Sequence, residues 1–399
     1  MRYDFTTVMD RHGRDAIAVD GAPCAGLVRE GFDTIPMWIA DMNFATVPSI
    51  PRAIISRAEH PAYGYFAPRQ EYYDAIIRWQ KARNGVEGLE PRHIGYANGV
   101  LGGVVSAANV LCSRGDKILV HSPTYVGFTH ALGNNGYELV HSPLTQDESG
   151  IWRMDYDDME RKLREERIHT AILCSPHNPC GRVWERWELE KAMELFRKYD
   201  VYVISDEIWS DLTLEGFRHI PTQSVSEDAK YRTVAMYAPS KTFNLAGLVG
   251  SYSIVYNDWL RDRMEKEASL SHYNSMNVLS MHALIGGFSP EGESWLEELR
   301  QVLTANVDFA AGFIRDHFPG VTVSRPQGTY MLFVDCTGWC QARGKTVDDV
   351  LAACYGVGVA VQDGRKFFGN CHLRMNLALP QSRVEEAFRR MDKYVFNAE

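Results

Sequence analysis

Four short polar segments each follow an apolar run, and between them they carry the groups that an imine-forming cofactor needs. They are Ser122-Pro123-Thr124-Tyr125, Ser175-Pro176-His177-Asn178-Pro179, Asp206-Glu207-Ile208-Trp209 and Ala238-Pro239-Ser240-Lys241. An aldehyde cofactor built on a pyridine ring and carrying a phosphate needs a lysine for the imine, a carboxylate to keep the ring nitrogen protonated and a donor for the phenolic oxygen. It also needs an aromatic face and an anion cradle. Lys241 can supply the amine, because Ser240-Lys241-Thr242-Phe243-Asn244 is an apolar, hydroxyl-rich context in which an ammonium loses water. Asp206 can supply the carboxylate, Asn178 the amide donor and Tyr125 the ring face. For the phosphate, Asn98-Gly99-Val100-Leu101-Gly102-Gly103 follows a short strand and opens a helical run toward Cys112. Free N–H groups and the helix dipole there would face an anion.

The elements that must position these residues are legible as an alternation. Short runs rich in Val and Ile predict strands at Lys117 to His121, Thr170 to Ser175, Val201 to Ser205, Thr233 to Tyr237 and Ser251 to Val255, with helical periodicity between several of them. Glu185 to Tyr199 reads as one such helix, covering the sheet. This is the pattern of an α/β chain with a mostly parallel central sheet and helices on both faces. In such sheets ligands lie beyond the carboxyl ends of the strands, which is where all four polar segments fall. Taken singly each has a plainer explanation: a solvated lysine, a helix-capping Asp206, a core Tyr125. Their succession is what those explanations do not cover. Cys180 and His177 read as a buried thiol and a backbone-bonding loop histidine.

After about Gly286 the organisation changes. A long helical stretch from Glu293 to Asp316 precedes short strands at Tyr330 to Asp335, Val357 to Gln362 and His372 to Leu377, predicting a smaller α+β domain. The expected division is therefore an arm and part of the small domain over 1–47, a large cofactor-binding domain over 48–286 and a small domain over 287–399. With 399 residues, 45% of them hydrophobic, the chain is too long for one simple core. The net charge of −9 without a basic run gives a nucleic-acid partner little support. No segment reaches the roughly 20 uninterrupted apolar residues of a membrane span, and a cytoplasmic location is expected. The eight cysteines show no CxxC pair or zinc-ligand spacing and read as reduced thiols.

From Trp38-Ile39-Ala40-Asp41-Met42 to Leu373-Arg374-Met375-Asn376, the chain resembles the fold-type-I pyridoxal 5'-phosphate (PLP) enzymes of the aminotransferase class I/II group. It is most similar to the MalY/PatB-type branch of cystathionine beta-lyases. Ser175 to Trp184, Ser205 to Leu212 and Ala238 to Leu248 carry most of the likeness. The resemblance implies that Lys241 holds the cofactor as a Schiff base and then moves the α proton. It further implies that Asp206 pairs with the pyridinium, Asn178 bonds the phenolic oxygen and Tyr125 stacks on the ring. Val100 and Leu101 amides with Ser240 would hold phosphate. Ala40 and Arg374 would bind substrate, Arg374 clamping its carboxylate; the plainer reading of Arg374 is a strand residue pairing across the sheet. Tyr65, in Tyr63-Gly64-Tyr65, would reach the phosphate of a neighbouring subunit in a homodimer with shared sites. Three positions depart from the branch: Asn43 in place of an aspartate, Trp209 where tyrosine or histidine is commoner, so that a second contact to the phenolic oxygen is open, and Ala238 without a hydroxyl. The implied activity is β-elimination from cystathionine or a related cysteine thioether, giving a thiol, pyruvate and ammonia. An aminotransferase is the alternative, since the same motifs serve both. A non-catalytic PLP-binding regulator is a third reading, opposed by the intact constellation and by the short stretch ahead of Trp38, which leaves little room for a DNA-binding module.

Overall fold

The computed structural model describes residues 1–271 and 275–398. Its centre is a seven-stranded sheet of β1 (Ile94–Asn98), β2 (Lys117–Ser122), β3 (Glu138–Pro143), β4 (Thr170–Cys174), β5 (Tyr202–Asp206), β6 (Thr233–Tyr237) and β7 (Gly250–Ile254). The strand order is β1-β7-β6-β5-β4-β2-β3. Neighbours run parallel except β7, which is antiparallel to both β1 and β6. The carboxyl ends of the other six strands therefore share one edge.

Side-chain alternation along the strands explains why helices cover both faces. Ile118, Val120, Ile172, Ile204, Val234 and Met236 point to one side, where Val104, Ala107 and Ala108 of helix Gly99–Leu111 pack on them. Leu119, Ala171, Leu173 and Val203 point to the other, against Leu189, Ala192, Met193 and Phe196 of helix Arg186–Lys198. Those four helix residues recur at i, i+3, i+4 and i+7, the spacing of one helical face. Glu185 and Glu188 close its start as a reciprocal capping box.

The carboxy-terminal region has its own four-stranded antiparallel sheet: β8 (Thr322–Val323), β9 (Met331–Asp335), β10 (Gln362–Asp363) and β11 (His372–Asn376), ordered β8-β9-β11-β10. The strand expected over Val357 to Gln362 is split. Val359–Ala360 pairs in parallel with Ile35–Pro36, whereas Gln362 pairs with Arg374. One apolar run thus serves two sheets, because its first half meets the amino-terminal segment and its second half meets β11. The long helix spans Pro290–His317 and starts earlier than its charge pattern suggested, since Ser289 caps it by accepting from Gly292 N at 3.2 Å. The amino-terminal arm is pinned to that helix: Phe5 packs edge-on against Phe44 and lies 5.5 Å from Trp295, and Glu298 accepts from the backbone N–H groups of Arg2 and Tyr3.

Candidate active site

Five strand ends of the large sheet and one strand of the small sheet converge on a common space. Asp206 is the last residue of β5, one position deeper in the strand than the sequence suggests, and it is buried. One carboxylate oxygen accepts from Ile208 N at 3.1 Å, and among the described residues no cation pairs with it at ion-pair distance. Burial raises its pKa to about 7, opposed by that N–H and by Lys241. Lys241 sits in the helical turn Pro239–Thr242 after β6, and its ammonium donates to the Ala40 carbonyl at 2.9 Å. Burial and the nearby Arg374 charge bring its pKa down to about 8, with Asp41 and Asp206 pulling the other way. Trp209 is buried edge-on to Tyr330 and offers its ring to Lys241, whose nitrogen lies 5.8 Å from the centroid.

Arg374 reaches the same space from β11. It is buried, and its contacts are all neutral: Asn178 Oδ1 at 3.3 Å, the Trp38 carbonyl at 3.2 Å, Gln362 Oε1, and the face of Phe367 at 4.3 Å. Its Nε has no partner among the described residues, and burial lowers its pKa to about 10. A guanidinium enclosed without a carboxylate is costly unless an anion arrives. Asn178 is buried too, and its amide nitrogen has no partner among the described residues.

Tyr125 lies against Leu101, and Gly127 explains how it fits, since a Cβ there would come within 2.3 Å of the tyrosine ring. Burial raises the Tyr125 pKa, and both Arg374 and Asp206 are near enough to influence it. Val100 and Leu101 occupy the first turn of helix Gly99–Leu111, where the backbone N–H groups have no helical acceptor; Gly99 enters it at φ +74°, a left-handed conformation that glycine adopts without strain. The half-buried Ser240 keeps its hydroxyl without a partner among the described residues.

The structure thus brings together Lys241, Asp206, Asn178, Tyr125, Trp209, Ser240, Val100, Leu101, Ala40 and Arg374. It does not bring Tyr65, which is fully exposed on the segment after His60 and touches none of them within this chain. His177 and Cys180 turn inward, the histidine edge-on to Trp184 with burial lowering its pKa to about 3. Sequence reasoning passed over Gln362, Phe367 and Tyr330 as site residues, along with Gly127 and Asn376. Only Gly127, next to an aromatic at a strand end, carried a local signal.

Residues 34–391 match the family model for aminotransferase class I and II. The chain belongs to that family. It is 32% identical over 361 residues to cystathionine beta-lyase PatB of Bacillus subtilis, covering 90% of this chain and 92% of that protein. Among solved structures it is similar to the PLP-bound C-S lyase of Staphylococcus hominis, at 29% identity and TM-score 0.88 over 98% of each chain. It is also similar to cystalysin of Treponema denticola, at 26% identity and TM-score 0.90 over 98% of each chain. The architecture is that of the fold-type-I PLP-dependent enzymes: a large mixed sheet covered by helices, with a smaller α+β region.

Proposed function

We propose that this chain binds PLP at the converged strand ends and cleaves the carbon–sulfur bond of cystathionine or a related cysteine thioether, releasing a thiol, pyruvate and ammonia. The observation that carries the reading is a pair of buried, unpaired charges: the carboxylate of Asp206 and the guanidinium of Arg374 enclose the space around Lys241, and neither has a counter-ion among the described residues. The names of PatB and of the Staphylococcus hominis C-S lyase select thioether cleavage among the family's reactions.

The residues fit the cofactor by their unmet demands. Asp206 wants a cation, which a protonated ring nitrogen provides; Asn178 has an amide donor to spare for the phenolic oxygen; the first-turn N–H groups at Val100 and Leu101, with the Ser240 hydroxyl, suit a phosphate. Tyr125 supplies the ring face and Trp209 the wall beside Lys241. Bound there, PLP supplies a protonated aromatic sink for the electron pair released when the substrate's α proton leaves.

The protein's part follows from charge and position. Arg374 orients the substrate α-carboxylate, by a charge-assisted pair that its neutral neighbours leave available. The Ala40 carbonyl holds Lys241 Nζ beside that carboxylate. A pKa brought down to about 8 keeps a useful fraction of Lys241 neutral near physiological pH, so it can take the α proton and later return it to the departing sulfur. Ionised Asp206 stabilises positive charge at the ring end throughout.

The same reading includes a cytoplasmic homodimer in which Tyr65 of one subunit serves the other's phosphate site. The exposed cluster of Tyr63, Tyr65 and Phe66 supports it. It also divides the chain at about residues 47 and 286, supported by the pairing of Ile35–Pro36 with Val359–Ala360. Among the described residues no helix is long and apolar enough to cross a membrane.

The test is a product assay of the holoenzyme with cystathionine, with and without a 2-oxo acid. Thiol, pyruvate and ammonia in equal amounts, independent of the 2-oxo acid, are expected. Amino transfer that requires the 2-oxo acid, without thiol release, overturns the lyase reading in favour of the aminotransferase.

A further inference from the structure

Beside Lys241 lies an ion pair that the chemistry above does not use. Arg11, from the amino-terminal arm, meets Asp41 at 2.9 Å, and the two side chains keep 16% and 19% of their surface open. Asp41 directly follows Ala40, the residue that receives the Lys241 hydrogen bond, and its charge is felt at both Lys241 and Tyr330. Its backbone is fixed from two sides. Asn376 donates to the carbonyls of Ile39 and Asp41 at 2.8 and 2.7 Å, and Asn244 holds the next residue, Met42, through both its N–H and its C=O. Asn376 shares β11 with Arg374, and Asn244 lies three residues beyond Lys241. Asp41 is thereby set in register with both groups assigned to the reacting end of the substrate.

The pair is also incompletely satisfied. Arg11 Nη1 donates to the Met42 carbonyl at 3.1 Å and to Asn43 Oδ1 at 3.3 Å, and Nη2 to Asp41 Oδ2. Arg11 Nε and Asp41 Oδ1 have no partner among the described residues, so each side chain keeps bonding capacity that the pair itself does not use.

We infer that the Arg11–Asp41 pair is the recognition site for the far end of the substrate, where a thioether joining two amino acids carries a second ammonium and a second carboxylate. This rests on the carbon–sulfur lyase reading and deepens it, because it selects a class among thioethers. With the α-carboxylate on Arg374, the distal carboxylate takes the Arg11 side and the distal ammonium the free oxygen of Asp41, so that four charges alternate in sign. A pre-formed pair keeps both side chains oriented before binding, so little ordering is left to offset the new contacts. An S-alkyl cysteine offers neither charge and gains nothing from the pair.

The experiment compares holoenzyme kinetics on cystathionine and on S-ethylcysteine for wild type, Arg11→Gln and Asp41→Asn. Asp41→Asn keeps the size of the side chain and an acceptor for Arg11, so it serves where Arg11→Gln loosens the arm. The expected result is a fall of about tenfold or more in the ratio of kcat/KM for cystathionine to that for S-ethylcysteine in each variant, carried mainly by KM for cystathionine. A tether with no role in recognition would lower both substrates by the same factor, and an unchanged ratio overturns the inference while leaving the lyase reading intact. A wild-type enzyme that cleaves neither thioether overturns both.

Discussion

Glu207 turns away from the site and finds everything a buried carboxylate needs: Oε2 accepts from His219 Nε2 at 2.7 Å and from the Tyr237 hydroxyl at 2.6 Å, and Oε1 accepts from Ser205 Oγ at 2.9 Å and Thr222 N at 3.0 Å. Asp206, one residue earlier, is buried at the strand end with a single backbone N–H. The two pKa shifts follow. Burial pushes both up, but His219 and the hydrogen bonds bring Glu207 below its ordinary value, while Asp206 stays at about 7. The same contrast separates Arg182 from Arg374. Arg182 is buried against Glu188 and Glu185, whereas Arg374 is buried among neutral groups. Where side chains turn into the fold, charges are neutralised and the arrangement is structural. In the site they are left wanting a partner, which is the condition for binding one.

Four changes would break or sharpen this contrast. The largest effect is expected from Lys241→Ala, which should lower turnover by about 1000-fold or more and remove the visible absorption of bound cofactor, read by steady-state assay and spectrum. Outside the site, Glu207→Gln should destabilise the protein by about 3 kcal/mol in denaturant unfolding, because His219 and Tyr237 lose their shared charged acceptor. Because Glu207 has a depressed pKa when folded, its contribution is present above its unfolded pKa and disappears as pH falls through the folded one.

Arg374→Ala should reduce kcat/KM by about 100-fold, mostly through KM, with only a modest change in thermal midpoint; an equal loss of stability would make it a structural group like Arg182. The smallest and most diagnostic change is Asp206→Asn in cofactor-free protein. A folded pKa of about 7 against an ordinary value of 3.8 means the native state holds the proton more tightly, so stability falls as pH rises between those values. The amide removes that loss. It should stabilise the cofactor-free protein by about 1 to 3 kcal/mol at pH 8 and by less at pH 5, while lowering catalysis in the holoenzyme. Destabilisation at pH 8 would place Asp206 in the same class as Glu207.

The sequence by itself determined most strands of the large sheet, Glu138–Pro143 excepted, that the sheet is mostly parallel, and which polar residues stand at its carboxyl edge. Those features are local: side-chain periodicity sets each element, and parallel pairing leaves only one edge for the residues that follow β2, β4, β5 and β6. It could not show that Val357 to Gln362 divides between two sheets, that Gln362 and Phe367 hold Arg374, or that Asn244 and Asn376 clamp Asp41 beside Lys241. It singled out Asp206, but could not show that its neighbour Glu207 on the same strand end has its charge met inside the fold. Burial leaves a charge satisfied or wanting according to what distant segments bring to it, and here His219, Thr222 and Tyr237 converge on one carboxylate while the other faces the open edge.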